Sequence, residues 1–315
     1  MEGLIECIPN FSEGRDRERI EALVRAMRGV RGAWVLDVHT DPDHNRSVVT
    51  LAGEPRPVWE AALRGVAQAV ESIDLRGHRG EHPRIGAVDV LPFVPVEGAT
   101  MEECIELARQ AGREIWVRHG IPAYFYEEAA LRPERKRLES VRRGEFEYLR
   151  EEAPRNEERA PDIGGPGLHS SAGAVAIAAR KFLIAYNINL NTRDISVAKK
   201  IARAIRASNG GLPHVKAIGV ELKNRGLAQV SMNLTDFEET PLRRVFDAVR
   251  MEAERSGSSI HGSEIVGLVP RRALGPGDAG YLQLENFSPA EKILETRLEV
   301  AINEETADGI SLSGI

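Results

Sequence analysis

The sequence predicts an α+β protein made of two duplicated ferredoxin-like subdomains. Hydrophobic periodicity spells the order β-α-β-β-α-β between residues 4 and 91, and spells it again between residues 182 and 269. At 315 residues and 42% hydrophobic composition, the chain is long enough for two ordinary cores. The expected division is an N-terminal subdomain at 1–178 and a C-terminal subdomain at 179–315.

In the first unit, Leu4 to Pro9 is a short apolar strand. Ile20, Leu23, Val24 and Met27 then recur at helical spacing, with Ser12 the expected N-cap. Two strands, 33–38 and 47–52, flank the turn Asp41-Pro42-Asp43-His44-Asn45. Pro57 opens a helix with Trp59, Leu63, Val66, Val70 and Ile73 on one face, and Ala87–Leu91 closes the unit. Thr100 and Glu103 form a capping box for a further helix to about Arg118, and Pro122–Tyr126 reads as a strand. Residues 132–160, dense in Arg and Glu, read as an exposed helix and linker. Residues 162–173, rich in glycine and hydroxyls, are expected to connect the subdomains, either as a flexible linker or as a ligand site.

In the second unit, Phe182–Ile188 is a strand, and Asn191 or Thr192 is expected to cap a helix bearing Ile195, Ala198, Ile201 and Ile205. Strands at 215–222 and 228–234 follow. Thr240-Pro241 opens a helix with Leu242, Val245, Phe246 and Val249, Gly257 ends it, and Ser263–Val269 is the last strand.

A net charge of −6 argues against general nucleic-acid binding, which needs a surplus of Lys and Arg. The Arg135-Lys136-Arg137 and Arg142-Arg143 clusters alternate with Glu and read as solvated helix faces. Cys7 and Cys104 sit far apart in apolar runs, as buried thiols do. No stretch reaches the roughly 18 apolar residues of a membrane span, and the N-terminus lacks a signal-peptide pattern. The expectation is a soluble, cytoplasmic protein.

Chemistry concentrates in Gly80-Glu81-His82-Pro83-Arg84. An imidazole stands between an acid and a base, on a loop at the entry to a strand, where proton-transfer groups tend to sit. His78-Arg79-Gly80-Glu81-His82 matches a zinc-peptidase pattern, but that pattern needs a helix, and Gly77, Gly80 and Pro83 oppose one. His39, Asp41, Asp43 and His44 resemble metal ligands, yet a turn rich in carboxylates explains them as well. No metal is therefore expected. Arg46 is suited to hold an anionic group. Asn10-Phe11-Ser12-Glu13-Gly14, between a strand and a helix, fits a cap, a ligand contact or both. There is no P-loop, nucleotide fingerprint or nucleophile elbow.

Several long stretches, in order, resemble the formiminotransferase domain of the glutamate formimidoyltransferase family. They are Glu6 to Gly14, Asn45-Arg46, Gly80 to Ala87, Thr100 to Cys104, Ala160-Pro161-Asp162, Ala179 to Ala185 and Gly267 to Pro270. The resemblance implies transfer of a formimidoyl group from N-formimidoyl-L-glutamate to N5 of the co-substrate tetrahydrofolate, giving L-glutamate, late in histidine degradation. It also implies duplicated ferredoxin-like halves, a homodimer and, because the chain ends at Ile315, a transferase with no cyclodeaminase domain. The family's catalytic histidine falls on His82. Its folate-binding loop falls on Gly164-Gly165-Pro166-Gly167-Leu168-His169-Ser170-Ser171-Ala172-Gly173, whose flanks match more closely than its centre. His39 stands where animal members carry an acid.

The expected mechanism has His82 as a single general acid/base, taking a proton from N5 and giving one to the departing glutamate nitrogen, with Glu81 or Arg84 tuning it. Asn10, Arg46, Glu81 and Arg84 are candidate substrate contacts, the two arginines for carboxylates. The alternatives are formyl transfer or 5-formyltetrahydrofolate metabolism on the same site, a zinc hydrolase, and a non-catalytic folate-binding protein.

Overall fold

The computed structural model describes residues 3–80 and 82–312, with side chains described as far as residue 304. It divides into two compact units, Met1–Arg180 and Lys181–Ile315. Both mix helices with an extended sheet, so the chain is α+β with two subdomains.

The first unit runs β1 (Leu4–Cys7), β2 (Asn10–Phe11), α1 (Arg17–Arg28), β3 (Ala33–Asp41), β4 (Arg46–Gly53), α2 (Pro55–Ser72), β5 (Val88–Glu97), α3 (Met101–His119), β6 (Ala123–Glu127), α4 (Leu138–Arg142), α5 (Glu145–Glu152) and β7 (Val175–Ala179). β1 and β2 are two pieces of one broken strand, antiparallel to β4 on one side and β5 on the other. With β3 beyond β4, and β7 and β6 continuing in parallel beyond β5, a seven-stranded sheet forms.

The apolar stripes of α1, α2 and α3 cover one face, where Leu23, Met27, Val66 and Ile115 meet Val49, Leu51, Leu91 and Phe93. Each large apolar side chain buried there contributes about 1.5–3 kcal/mol relative to exposure. On the opposite face, Val141 and Leu149 from α4 and α5 pack on Val90, Tyr124, Tyr126 and Ala176. Residues 132–160 are thus not an exposed linker: Phe146 and Leu149 are fully buried, and Arg135, expected in solvent, is 4% exposed. Their charge density hid a few apolar residues spaced to reach the sheet.

The second unit runs β8 (Ile184–Leu190), α6 (Ile195–Ile205), β9 (Val215–Leu222), β10 (Leu227–Leu234), α7 (Leu242–Arg255) and β11 (Ile260–Val266). Its four strands lie in the order β11-β8-β10-β9, all antiparallel. The β-α-β-β-α-β order is present in both units, with strand ends shifted by a few residues from those expected.

Some caps differ from expectation. The Thr100–Glu103 capping box is present. α1, however, is capped by Asp16, which accepts from the Glu18 and Arg19 amides, while the Ser12 hydroxyl donates to the Gly86 carbonyl at 2.7 Å. α6 is capped by Asp194, and the Asn191 amide donates to Ser259 and Ile260 instead. In both cases the loop before the helix is longer than apolar spacing alone conveys.

The 162–173 loop also departs from expectation: it lies wholly within the first unit and leads into β7, so it does not connect the two subdomains. Its start is held by Asp162, whose carboxylate pairs with Arg135 at 2.6 Å and accepts from the Phe125 amide at 2.8 Å. Both side chains are nearly fully buried. Removing one partner of a buried pair strands the other charge, at about 3–5 kcal/mol. Asp162→Ala is expected to cost about 3 kcal/mol in chemical denaturation, with the loss concentrated at β6 and the 132–160 segment in hydrogen exchange.

Candidate active site

Three loops of the first unit meet at one point. They are the β2–α1 loop, the β3–β4 turn, and the irregular segment from residue 74 to 87 that carries His82. Asn45 ties them together. Its side-chain oxygen accepts from the Gly14 amide at 3.0 Å, its side-chain nitrogen donates to the Arg79 carbonyl at 3.0 Å, and its own carbonyl accepts from His78 Nε2 at 3.0 Å. It adopts φ +49°, a left-handed conformation that Asn tolerates better than most residues. Gly80 completes the junction because nothing larger fits: a Cβ there would lie 2.2 Å from the His44 carbonyl oxygen.

His82 is half-buried at this junction. Arg46, at the start of β4, donates from its guanidinium to His82 Nε2, so that nitrogen carries a lone pair. Arg142 of α4 adds a second cation and is paired with the buried Asp89, whose other oxygen accepts from the Ile85 amide at 2.8 Å. Burial and these cations, Arg46 ahead of Arg142, push the imidazole down to about 3. The Pro83 backbone, which offers only a carbonyl, draws weakly the other way. Burial also lowers the Arg46 guanidinium from its ordinary value. His44 stands edge-on to His82, with ring centroids 6.1 Å apart, and its Nδ1 donates to Asp41 at 2.5 Å.

Not all the expected residues converge here. Arg46 does. Asn10 lies at the broken strand with its amide turned to the Ile8 carbonyl at 2.9 Å. Glu81 lies outside the described residues. Arg84 faces elsewhere: its guanidinium is held by Glu145 at 3.0 Å, Glu147 at 2.6 Å and His78 Nδ1 at 3.0 Å. The arginines that act on His82 are therefore Arg46 and Arg142, not Arg84. Arg142, expected on a solvated face, has a side chain only 15% exposed. His78 has both ring nitrogens taken up by Asn45 and Arg84, and no helix carries it with His82. Among the described residues, potential metal ligands gather in the second unit, where His214, Asp236 and Glu239 come together and Asp236 pairs with Lys181.

The 164–173 loop divides in two. Gly164 to Gly167 are exposed, with Gly164 packed on the Trp116 ring. Ser171 to Ala174 are locked by backbone bonds to Leu75, Ile85 and Ala87, on either side of the His82 segment. Gly173 has φ +70°, and a Cβ there would lie 2.2 Å from the Ile85 carbonyl oxygen. His169 folds back, its Nδ1 accepting from the Ala172 amide at 3.0 Å. Sequence reasoning missed Asn45, Asp89 and Arg142 as parts of the site. The signal for Asn45 was its place after a turn-forming Asp-Pro-Asp; nothing local distinguishes Asp89 or Arg142.

A neutral imidazole whose Nε2 has a lone pair, set among cations on loops projecting from an α+β sheet, has the chemistry to accept a proton beside an anionic ligand. Profile matches give the family: "Formiminotransferase domain, N-terminal subdomain" covers residues 4–180, and "Formiminotransferase domain" covers 185–305. The chain belongs to the formiminotransferase family. It is 48% identical to the glutamate formimidoyltransferase of Thermoplasma acidophilum, over 96% of this chain and 99% of that one. It is 46% identical to the glutamate formimidoyltransferase of Streptococcus pyogenes serotype M1, over 95% and 99%. The formimidoyltransferase-cyclodeaminase of Mus musculus is 42% identical over 99% of this chain, which spans 58% of that protein.

His82 titrates low because it is buried beside Arg46 and Arg142, so removing a cation is expected to raise it. In Arg46→Met, the His82 imidazole followed by NMR is expected to titrate above about 3, toward the ordinary histidine value of about 6.5. A midpoint that stays put would show that Arg46 does not act on it. The sign also sets the acid limb of stability. A histidine kept neutral by the fold contributes fully above about pH 6.5, and that contribution is lost as pH falls toward about 3.

Proposed function

We propose that this protein transfers the formimidoyl group of N-formimidoyl-L-glutamate to N5 of tetrahydrofolate, releasing L-glutamate, in histidine degradation. The observation that carries the proposal is the near-full-length similarity to two glutamate formimidoyltransferases. The His82–Arg46 site is in keeping with it.

Attack of N5 on the amidine carbon creates a tetrahedral centre, and the N5 proton must then leave. His82 Nε2, with its lone pair available, is the base. Arg46 holds that lone pair until a carboxylate of the donor arrives. A guanidinium prefers a carboxylate to a neutral imidazole, so donor binding frees Nε2 and weakens the positive field that depresses it. The anionic donor thereby readies its own base. Asn10 and Glu81 remain candidate donor contacts. Arg84, already paired with two glutamates, serves instead to fix the loop. The Gly164–Gly173 loop is the proposed tetrahydrofolate contact, supported by exposed glycines at its front and a rigidly bonded rear beside the His82 segment.

No described helix is long and apolar enough to cross a membrane. We infer a cytoplasmic homodimer as the working form, from the resemblance to the family; sedimentation velocity tests the dimer.

A turnover assay with tetrahydrofolate and formimidoyl-glutamate tests the proposal. His82→Ala is expected to lower kcat by about 10²–10⁴-fold, and a variant within a few-fold of the parent would remove His82 from the mechanism. In the same assay formyl-glutamate is expected to react more slowly than formimidoyl-glutamate; the reverse order would favour formyl transfer.

A further inference from the structure

We propose that His44, held by Asp41, is a second proton-transfer residue of this reaction, giving a proton to the departing glutamate nitrogen while His82 accepts the one from N5. The inference rests on the transfer reaction proposed above.

Formimidoyl transfer moves protons in opposite directions at two nitrogens bonded to one carbon. The N5–C bond forms and N5 sheds a proton. The bond from that carbon to the glutamate nitrogen breaks, and that nitrogen must gain a proton, since an amide anion is not a viable leaving group. In the resting geometry His82 has only the first capability. Its Nε2 receives a hydrogen bond from Arg46, and a second arginine lies close by, so that nitrogen meets the substrate as an acceptor.

His44 has the complementary arrangement. Its ring lies 6.1 Å from that of His82, inclined at 74°, so the two imidazoles border a common space. Nδ1 donates to Asp41 Oδ2 at 2.5 Å, leaving Nε2 as the nitrogen to exchange a proton. Asp41 is itself fixed, its Oδ1 accepting from the Asp43 and His44 amides, both at 3.0 Å. A carboxylate so placed orients the imidazole, as in other carboxylate–histidine pairs.

The backbone of His44 is set against the His82 loop through Gly80, and the next residue, Asn45, bonds to both neighbouring loops. Among the described residues, the groups facing His44 are the Asp41 carboxylate across the turn and the neutral His82 ring from the loop, with Arg46 two residues on. His44 is half exposed, so solvent can reload it. The protons balance: His82 takes one from N5, His44 gives one to the glutamate nitrogen, and solvent returns both imidazoles to their starting states.

Steady-state kinetics of the parent, His44→Gln and Asp41→Asn with tetrahydrofolate and formimidoyl-glutamate test the role, with thermal melts confirming each fold. His44→Gln is expected to lose about 10²-fold in kcat, with both KM values nearly unchanged. Its rate should rise with added imidazole buffer at fixed pH and ionic strength, whereas the parent rate should not. Asp41→Asn, which leaves the imidazole but removes its anchor, should lose less and respond more weakly to buffer.

A His44→Gln kcat within threefold of the parent overturns the proposal. So does a loss that appears in KM and is not rescued by buffer, since that marks a residue that only shapes the turn. Should His44→Gln fail to fold, Asp41→Asn decides on the same criteria. A parent enzyme without turnover overturns the transfer reaction itself and this role with it. Activity that is present but indifferent to His44 overturns this role alone.

Discussion

The junction at Asn45 is the constraint on which the site depends. One side chain and one carbonyl satisfy polar groups from the two loops beside its own turn, which share no regular hydrogen-bond ladder. Buried backbone groups left unpaired there would each cost about 1–3 kcal/mol. Gly80 lets the His82 loop approach the His44 carbonyl closely enough for those bonds to form. The left-handed backbone at Asn45 then turns the chain so that His44 and Arg46, on either side of it, both reach His82.

This geometry produces an uncommon electrostatic arrangement. Two guanidinium groups act on an imidazole: Arg142 is ion-paired with the buried Asp89, whose charge also reaches Arg46. The imidazole therefore stays neutral well below neutrality, which keeps a lone pair ready near positive charge. Such a site attracts carboxylates and is relieved by them.

Most of the first-unit scaffold was legible in the sequence because helices and half-buried strands announce themselves by period. Its site was legible in part. His82 and Arg46 stand out because titratable and cationic residues on broken backbone are rare without a purpose. Arg84, two residues before Gly86 and equally conspicuous, is committed to Glu145 and Glu147, more than 60 positions away. Arg142 looked like one charge of many on a solvated helix, yet α4 folds over the sheet and brings it to Asp89. Local composition carries no record of which distant carboxylate a guanidinium will meet.

The same division applies to the 162–173 loop. Its glycines and hydroxyls marked it as special, but not as part of the first unit's sheet, because β7 is five residues of small apolar side chains with no alternation to reveal it. By itself, the sequence determined the α+β class, the repeated β-α-β-β-α-β order and the buried thiols, and it singled out the histidine on the broken loop before β5. These depend on periodicity and residue type, which are properties of neighbours along the chain. Only the tertiary structure decided which arginines surround His82, which asparagine joins the loops and which histidine stands beside it. Those depend on side chains converging from segments far apart in sequence, and on the close backbone approaches that a missing Cβ permits.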